Sequence, residues 1–159
     1  MPARHANQNE LHLVNPDILA SAMRLLATRE HSTAELRRKL LQKGGAQAEV
    51  EVCVQELLAQ NLLSDERFTE GFVHSRRQRG QGPLRIQRDL QEHQIAPELI
   101  ARYLDPRSPG WLEQALSVRE KKFGAAMPED YKEKMRQARF LEQRGFPHEL
   151  IRQVLRHED

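Results

Sequence analysis

The sequence predicts an all-α protein built from three tandem three-helix repeats, and three observations predict it. Apolar residues recur at helical spacing in every segment between turn signals. No alternating strand pattern of useful length appears. The whole pattern also repeats with a period of about 50 residues, the signature of a repeat architecture. Leu40, Leu90 and Leu141 hold equivalent places, as do Gly44, Gln94 and Gly145. Ile95 and Phe146 share one turn position, and Leu99-Ile100 pairs with Leu150-Ile151.

Residues 1–14 read as a loose tail, followed by repeat one over 15–63. Asn15-Pro16-Asp17 opens its first helix, with Asn15 at the cap and Pro16 in the first turn. Ile18, Leu19, Ala22, Leu25 and Leu26 form the apolar stripe. Ser32 or Thr33 caps the second helix, and Glu35 stands where a capping-box acid would. Leu36, Leu40 and Leu41 line that helix, and Gly44-Gly45 stops it. The third helix is predicted from about Gln47 to Asn61, with Val50, Cys53, Val54, Leu57 and Leu58 on one stripe.

Repeat two is predicted over 64–105. Ser64-Asp65 caps a helix holding Phe68, Phe72 and Val73, and Gly80–Pro83 breaks it. Phe68 and Phe72, four apart on one helix, are read as core packing and not as a base-stacking platform. Ile86 and Leu90 mark the next helix, and Pro97 opens a short one with Leu99, Ile100, Tyr103 and Leu104. A linker over 105–110, rich in proline and glycine, leads into repeat three, so that linker and repeat occupy 106–159. Trp111, Leu112, Ala115, Leu116 and Val118 share its first helix, which Gly124 ends. Pro128 starts the next, from about Glu129 to Gln143, carrying Tyr131, Met135, Phe140 and Leu141. Leu150, Ile151, Val154 and Leu155 form the last face. Units this small bury little surface alone, so neighbours are expected to dock into an elongated molecule.

The totals narrow the function. Aromatic residues are only 5% of the 159-residue chain and charged residues 30%, which favours many small helical contacts over one large core. Twenty-five Lys and Arg face 23 Asp and Glu, so net charge alone says little about nucleic acid. The lone cysteine, Cys53, allows no internal disulfide. Met1 to Asn15 is polar and lacks the apolar stretch of a signal peptide, and no run approaches a membrane span. The expected compartment is the cytoplasm.

Little in the chain points to catalysis. None of His5, His12, His31, His74, His93, His148 and His157 stands four residues from another, or close to Cys53, as metal ligands on a helix would. Gly44-Gly45 and Gly80-Gln81-Gly82 lack the strand that a phosphate-cradling loop needs, and read as helix terminators. Asp65, Glu66 and Asp89 have plainer roles at helix starts and solvated faces. We expect no enzyme, no cofactor and no metal.

The charged residues are sorted by sign. Arg76, Arg77, Arg79, Arg85 and Arg88 follow one another with no acid between them. Arg37, Arg38, Lys39 and Lys43 crowd the second helix of repeat one. Arg119, Lys121, Lys122, Lys132, Lys134, Arg136 and Arg139 mark a secondary patch in repeat three. Clusters of one sign suit a polyanionic or nucleoprotein partner, and arginine suits forked contacts to phosphate or carboxylate. Any one of these residues also has the simpler role of solvating a helix face. No helix carries a concentrated Asn/Gln/Arg reading face, which argues against sequence-specific recognition of DNA.

Several motifs resemble the RecX regulatory proteins. They are Leu26-Ala27-Thr28-Arg29-Glu30-His31-Ser32 with Glu35–Leu40, then Leu63–Phe68, Ser75-Arg76-Arg77, Gly82–Ile86, Arg139-Phe140-Leu141 and Arg144-Gly145-Phe146. Each is modest, but their order and spacing from about Pro16 to Leu155 are specific. Gln94 departs from the family, which often has glycine before the equivalent of Ile95, at a position suited to a left-handed backbone. The resemblance implies a curved molecule of three tandem repeats. It also implies a negative regulator of the RecA recombinase that lies on the RecA–DNA filament and suppresses filament growth and strand exchange. Expected partners are the RecA filament, single-stranded DNA and also double-stranded DNA, with no membrane and a monomeric protein. Expected contacts are Arg37, Arg38, Lys39, Arg76, Arg77, Arg79, Arg85 and Arg88. The alternatives are a general nucleic-acid binder and a helical adaptor without a RecA target.

Overall fold

A computed structural model describes residues 10–156. Among these residues it contains nine α-helices and a short 3-10 turn at Leu11–Leu13. The helices are α1 (Pro16–Thr28), α2 (Thr33–Gln42), α3 (Gln47–Ala59), α4 (Asp65–Gln78), α5 (Pro83–Glu92), α6 (Pro97–Tyr103), α7 (Gly110–Phe123), α8 (Tyr131–Arg144) and α9 (His148–Leu155). No strand occurs among the described residues. The fold class read from the sequence is therefore the observed one.

Local chemistry explains the helix starts. Asn15 Oδ1 accepts from the backbone N–H of Asp17 and Ile18, satisfying donors that α1 cannot satisfy itself. Ser32 Oγ accepts from Glu35 N–H at 3.1 Å, and Ser64 Oγ accepts from Arg67 N–H at 3.1 Å. Asp130 caps α8 by accepting from Glu133 N–H at 2.7 Å. The start of α8 therefore lies at Tyr131, behind the Asp130 cap, and not at Pro128. The capping box at α2 is half made: the Glu35 carboxylate takes Arg29 Nη1 at 2.7 Å.

The helices gather into two compact units. Among the described residues the first comprises 10–69 together with His93–Ile95. Here α1, α2 and α3 pack on one another around Ile18, Ala22, Leu36, Leu40, Val50, Cys53, Val54, Leu57 and Leu63. Val14 is buried in that core and Leu11 packs against it, so the tail predicted over 1–14 is ordered from the 3-10 turn onward. Residues 1–9 lie outside the described residues. Leu41, expected on the apolar face of α2, is exposed. Burial pushes the Cys53 thiol up in pKa, as suits an unreactive core side chain.

The second unit comprises Glu70–Glu92 and, among the described residues, 96–156. In it α7 packs on α8 and α9, burying Trp111, Ala115, Leu141, Phe146, Ile151 and Val154. Trp111 Nε1–H donates to Asp105 O at 2.9 Å, anchoring the linker. Tyr131 and Met135, expected on the buried face of α8, are exposed.

The two turns Gly80–Pro83 and Gly145–Pro147 lock together backbone to backbone. Gly82 N–H donates to Arg144 O at 2.7 Å, and Leu84 N–H donates to Gly145 O at 3.0 Å. A Cβ on Gly82 would sit 2.5 Å from both the carbonyl carbon and the oxygen of Gly145. Glycine is therefore required there by space. The equivalence of Gly44, Gln94 and Gly145 appears in the backbone, with φ of +94°, +57° and +98°.

Two substitutions test these constraints with opposite signs. Gly82→Ala should destabilise the protein by about 1–3 kcal/mol, the usual cost of forcing atoms into a filled site. Gln94→Gly should stabilise it by about 1 kcal/mol, the left-handed strain of about 1–2 kcal/mol on a residue with a Cβ less the extra chain entropy that a glycine loses on folding. Urea unfolding of both variants beside the wild type measures the two values.

Candidate polyanion-binding surface

The structure divides the predicted cations into those engaged by the protein and those left available. In the first unit Arg37 forms a forked pair with Glu51, Nε to Oε2 at 2.8 Å and Nη2 to Oε1 at 3.1 Å. That bond, joined by one from Gln55, holds the Glu51 carboxyl below its ordinary pKa. Lys39 Nζ lies 3.1 Å from His31 Nε2. Arg38 is exposed, with neither of these ties.

Behind Lys39 lies a buried polar cluster. His31 Nδ1 sits 3.1 Å from Arg29 O and its Nε2 faces the Lys39 ammonium. A carbonyl needs a donor and an ammonium needs an acceptor, so the contacts assign the neutral ring with its proton on Nδ1. Burial lowers the His31 pKa from its ordinary value. Glu35 lies 3.6 Å from His31 Nε2 and 3.6 Å from His93 Nδ1. Burial works to raise the Glu35 pKa. The Arg29 hydrogen bond and the charges of Arg29 and Lys39 outweigh it, and the carboxyl lies below its ordinary value.

In the second unit arginines rest on aromatic faces. Arg76 lies over Phe72, 4.5 Å to the ring centre, and Arg77 over Trp111 at 4.3 Å. Gln114 Nε2–H donates to Arg77 O at 2.6 Å, and Arg144 Nη1–H to Arg79 O at 3.3 Å. The α4 terminus thus takes donors from α7 and α8, Arg77 O also accepting from Gly80 N–H at 2.9 Å. Arg85 is half-buried, its backbone close against Gly145, while Arg79 and Arg88 are exposed.

Arg119 leaves the predicted secondary patch, for it is only 3% exposed. Its Nη1 donates to Ala126 O and to Gln137 Oε1, and its Nη2 to Gly124 O and Ala125 O. This guanidinium closes the connection between α7 and α8 from inside. Arg136 is exposed, but it forks onto Glu133 with two bonds of 2.9 Å and covers Phe123. That fork, aided by Gln137, holds the Glu133 carboxyl down at about 2. Lys132 and Arg139 are exposed and Lys134 is half-buried.

Three predicted cations do converge. Arg79, Lys121 and Lys122 line one open groove of about 580 Å³ with Gln78, Gly80, Gln114, Ser117, Val118, Phe140 and Arg144. No carboxylate lines it. Arg144 was not among the predicted contacts. Its only sequence signal was its place in the Arg144-Gly145-Phe146 motif. Among the described residues no cluster of His, Cys, Asp and Glu could hold a metal, and no helix is long and apolar enough to cross a membrane.

Family models described as the first, second and third three-helix domains of RecX match residues 19–57, 64–104 and 112–155. The chain belongs to the RecX family. Its relatives include the regulatory protein RecX of Halorhodospira halophila, 43% identical over 132 residues, covering 83% of this chain and 82% of that one. The regulatory protein RecX of Acidithiobacillus ferrooxidans is 42% identical over 139 residues, covering 87% and 89% of the two chains. The crystal structure of RecX from Lactobacillus salivarius superposes with a TM-score of 0.73 at 17% identity, over 87% of this chain and 92% of that one. The three family domains each take one helix triplet, whereas the compact units divide the second triplet between them. Sequence repeat and packing unit are therefore different things in this RecX-family protein.

The buried cluster carries a pH prediction. The folded-state pKa of His31 lies below the ordinary 6.5, so the unfolded chain binds its proton first as pH falls. Stability should therefore drop on acidification below that value, as protonation displaces Lys39. His31→Gln should flatten the slope of unfolding free energy between about pH 7 and 5. Denaturant titrations at several pH values check this, and an unchanged slope would exclude His31 as its source.

Proposed function

We propose that this protein is a negative regulator of the RecA recombinase, acting in the cytoplasm as a binding protein and not as an enzyme. In this reading it binds the RecA–DNA filament, in its groove or at its end. There it inhibits filament growth, ATP hydrolysis, strand exchange and recombination. The observation that carries the reading is the match to all three RecX domains in order along one chain.

The surface supports it physically. Exposed Arg38, Arg79, Arg88, Lys121 and Lys122 offer charge for phosphates or acidic side chains in each unit. Several weak sites on one chain add through effective concentration, which suits a repetitive target such as a filament. Arg37, paired with Glu51, supplies less free charge than the sequence implies, and the Lys39 ammonium is held against His31.

The test is ATP hydrolysis by RecA on single-stranded DNA with this protein titrated in. Progressive loss of hydrolysis is the expected result. Loss at far fewer copies than RecA subunits identifies action at filament ends, and loss near equal copies identifies occupation of the groove. No effect on confirmed filaments refutes the regulator. A double reversal, Arg79→Glu with Arg88→Glu, should weaken inhibition at least tenfold while helical content stays unchanged, since each contact to phosphate contributes steeply at low salt. Arg76 and Arg77 are unsuited to this test, because reversing them would also remove the stacks on Phe72 and Trp111.

A further inference from the structure

The groove of the second unit has more specific chemistry than a general basic face. Arg79 follows the end of α4, Lys121 and Lys122 occupy the last turn of α7, and Arg144 is the final residue of α8. Phe140 gathers two of them: Lys122 lies 5.7 Å and Arg144 5.2 Å from its ring centre. Cations at helix ends have an internal use, since each C-terminus carries roughly half a negative charge. Three such ends offset four full charges only in part, leaving roughly two and a half positive charges in excess. No lining carboxylate takes up that excess.

Like charges held close, without a counter-charge, are costly until an anion arrives. The neutral lining adds hydrogen-bonding groups, Gln78 and Ser117, both exposed. It offers little to a protein partner. Specific protein interfaces centre on exposed apolar or aromatic anchors. Here the aromatic lining residue, Phe140, is only half-exposed, with Lys122 and Arg144 near its ring and Phe123 packed edge-on at 5.2 Å. A phosphate backbone needs only charge and donors.

We infer that the groove bounded by Arg79, Lys121, Lys122 and Arg144 seats the sugar-phosphate backbone of a nucleic-acid strand, about two phosphates at a time. The inference rests on the filament reading for where the strand comes from. It rests on the second unit alone for the seat. Recognition is of phosphate and is indifferent to base sequence.

The experiment is fluorescence anisotropy of a labelled 20-nucleotide oligo-dT with the full chain, across a salt series. Lys121→Gln with Lys122→Gln should weaken binding roughly tenfold or more at 0.1 M salt. It should also make the slope of log affinity against log salt shallower by about 1.4, the value for two phosphates on a single strand. Lys121→Gln alone, which touches no packed ring, should shift the slope by about 0.7. Arg152→Gln with Arg156→Gln, an equal charge change on exposed residues outside the groove, should leave affinity nearly as it was. The seat is overturned by a wild-type slope in both lysine variants, or by an equal loss in the arginine control. Poly-glutamate competing as well as unlabelled oligo-dT at equal charge also overturns it, in favour of an acidic protein ligand. A duplex competing better than oligo-dT keeps the phosphate seat and identifies double-stranded DNA as its source. RecA-dependent ATP hydrolysis measured with the same proteins separates the two readings. Intact inhibition beside a failed groove test removes the seat and leaves the regulator. DNA binding through the groove without any inhibition does the reverse.

Discussion

The backbone lock between Gly82 and Gly145 is the constraint on which most of the second unit depends. Of two helix-to-helix turns, far apart in sequence, one donates backbone hydrogen bonds directly to the carbonyls of the other, with no side chain between them. Such an approach is possible only where one partner lacks a Cβ and the other adopts a left-handed backbone, with φ of +98° at Gly145. Once the turns are locked, the end of α4 must lie beside the end of α8. Arg144 then reaches Arg79 O, and the end of α7 completes a groove whose rim is cationic. The charge concentration follows from the packing of helix ends, because each end favours a cation in its last turn.

A chain with few aromatics needs other ways to hold helices together, and arginine supplies them. Arg77 on Trp111 ties α4 to α7 and Arg136 on Phe123 ties α8 to α7, while Arg76 covers Phe72 of its own helix, each guanidinium still partly facing water. Arg119 goes further and is buried, and removing it would take the guanidinium donor away from three backbone carbonyls and from the buried Gln137 Oε1. Leaving a buried hydrogen-bonding group without its partner costs about 1–3 kcal/mol. Such residues resist substitution for reasons of stability. They therefore look functional in a sequence without being available to a partner.

This explains which parts of the molecule were legible beforehand. Helix starts depend on residues within four positions, so Asn15, Ser32 and Ser64 announced them. The left-handed turn positions followed from the period of the repeat. Arg119 was read as surface because its partners lie on a connection and on α8, invisible to local pattern. Glu35 was read as a capping acid, but Arg29 claims its carboxylate. Of the groove, Arg79, Lys121 and Lys122 were found by charge. Their convergence with Arg144 was not, since it depends on the lock between two distant turns.

The three equivalent turns show how copies of one unit come to differ. Gly44, Gln94 and Gly145 share a left-handed backbone, so repetition of sequence preserves the conformation. Their surroundings are not repeated. A Cβ on Gly44 would meet nothing within 4 Å, and position 94 already carries an exposed glutamine side chain. At these two sites glycine is favoured only by backbone strain, about 1–2 kcal/mol, which a stable protein tolerates. At Gly145 a Cβ would also run into the backbone of Arg85, so strain and space act together. Only the third copy is thus bound to glycine on both counts, through its contact with the Gly82 turn. The same contact aligns the ends of α4 and α8. The freedom to vary at position 94 and the lack of it at position 145 therefore have one cause: the third turn is an interface as well as a turn.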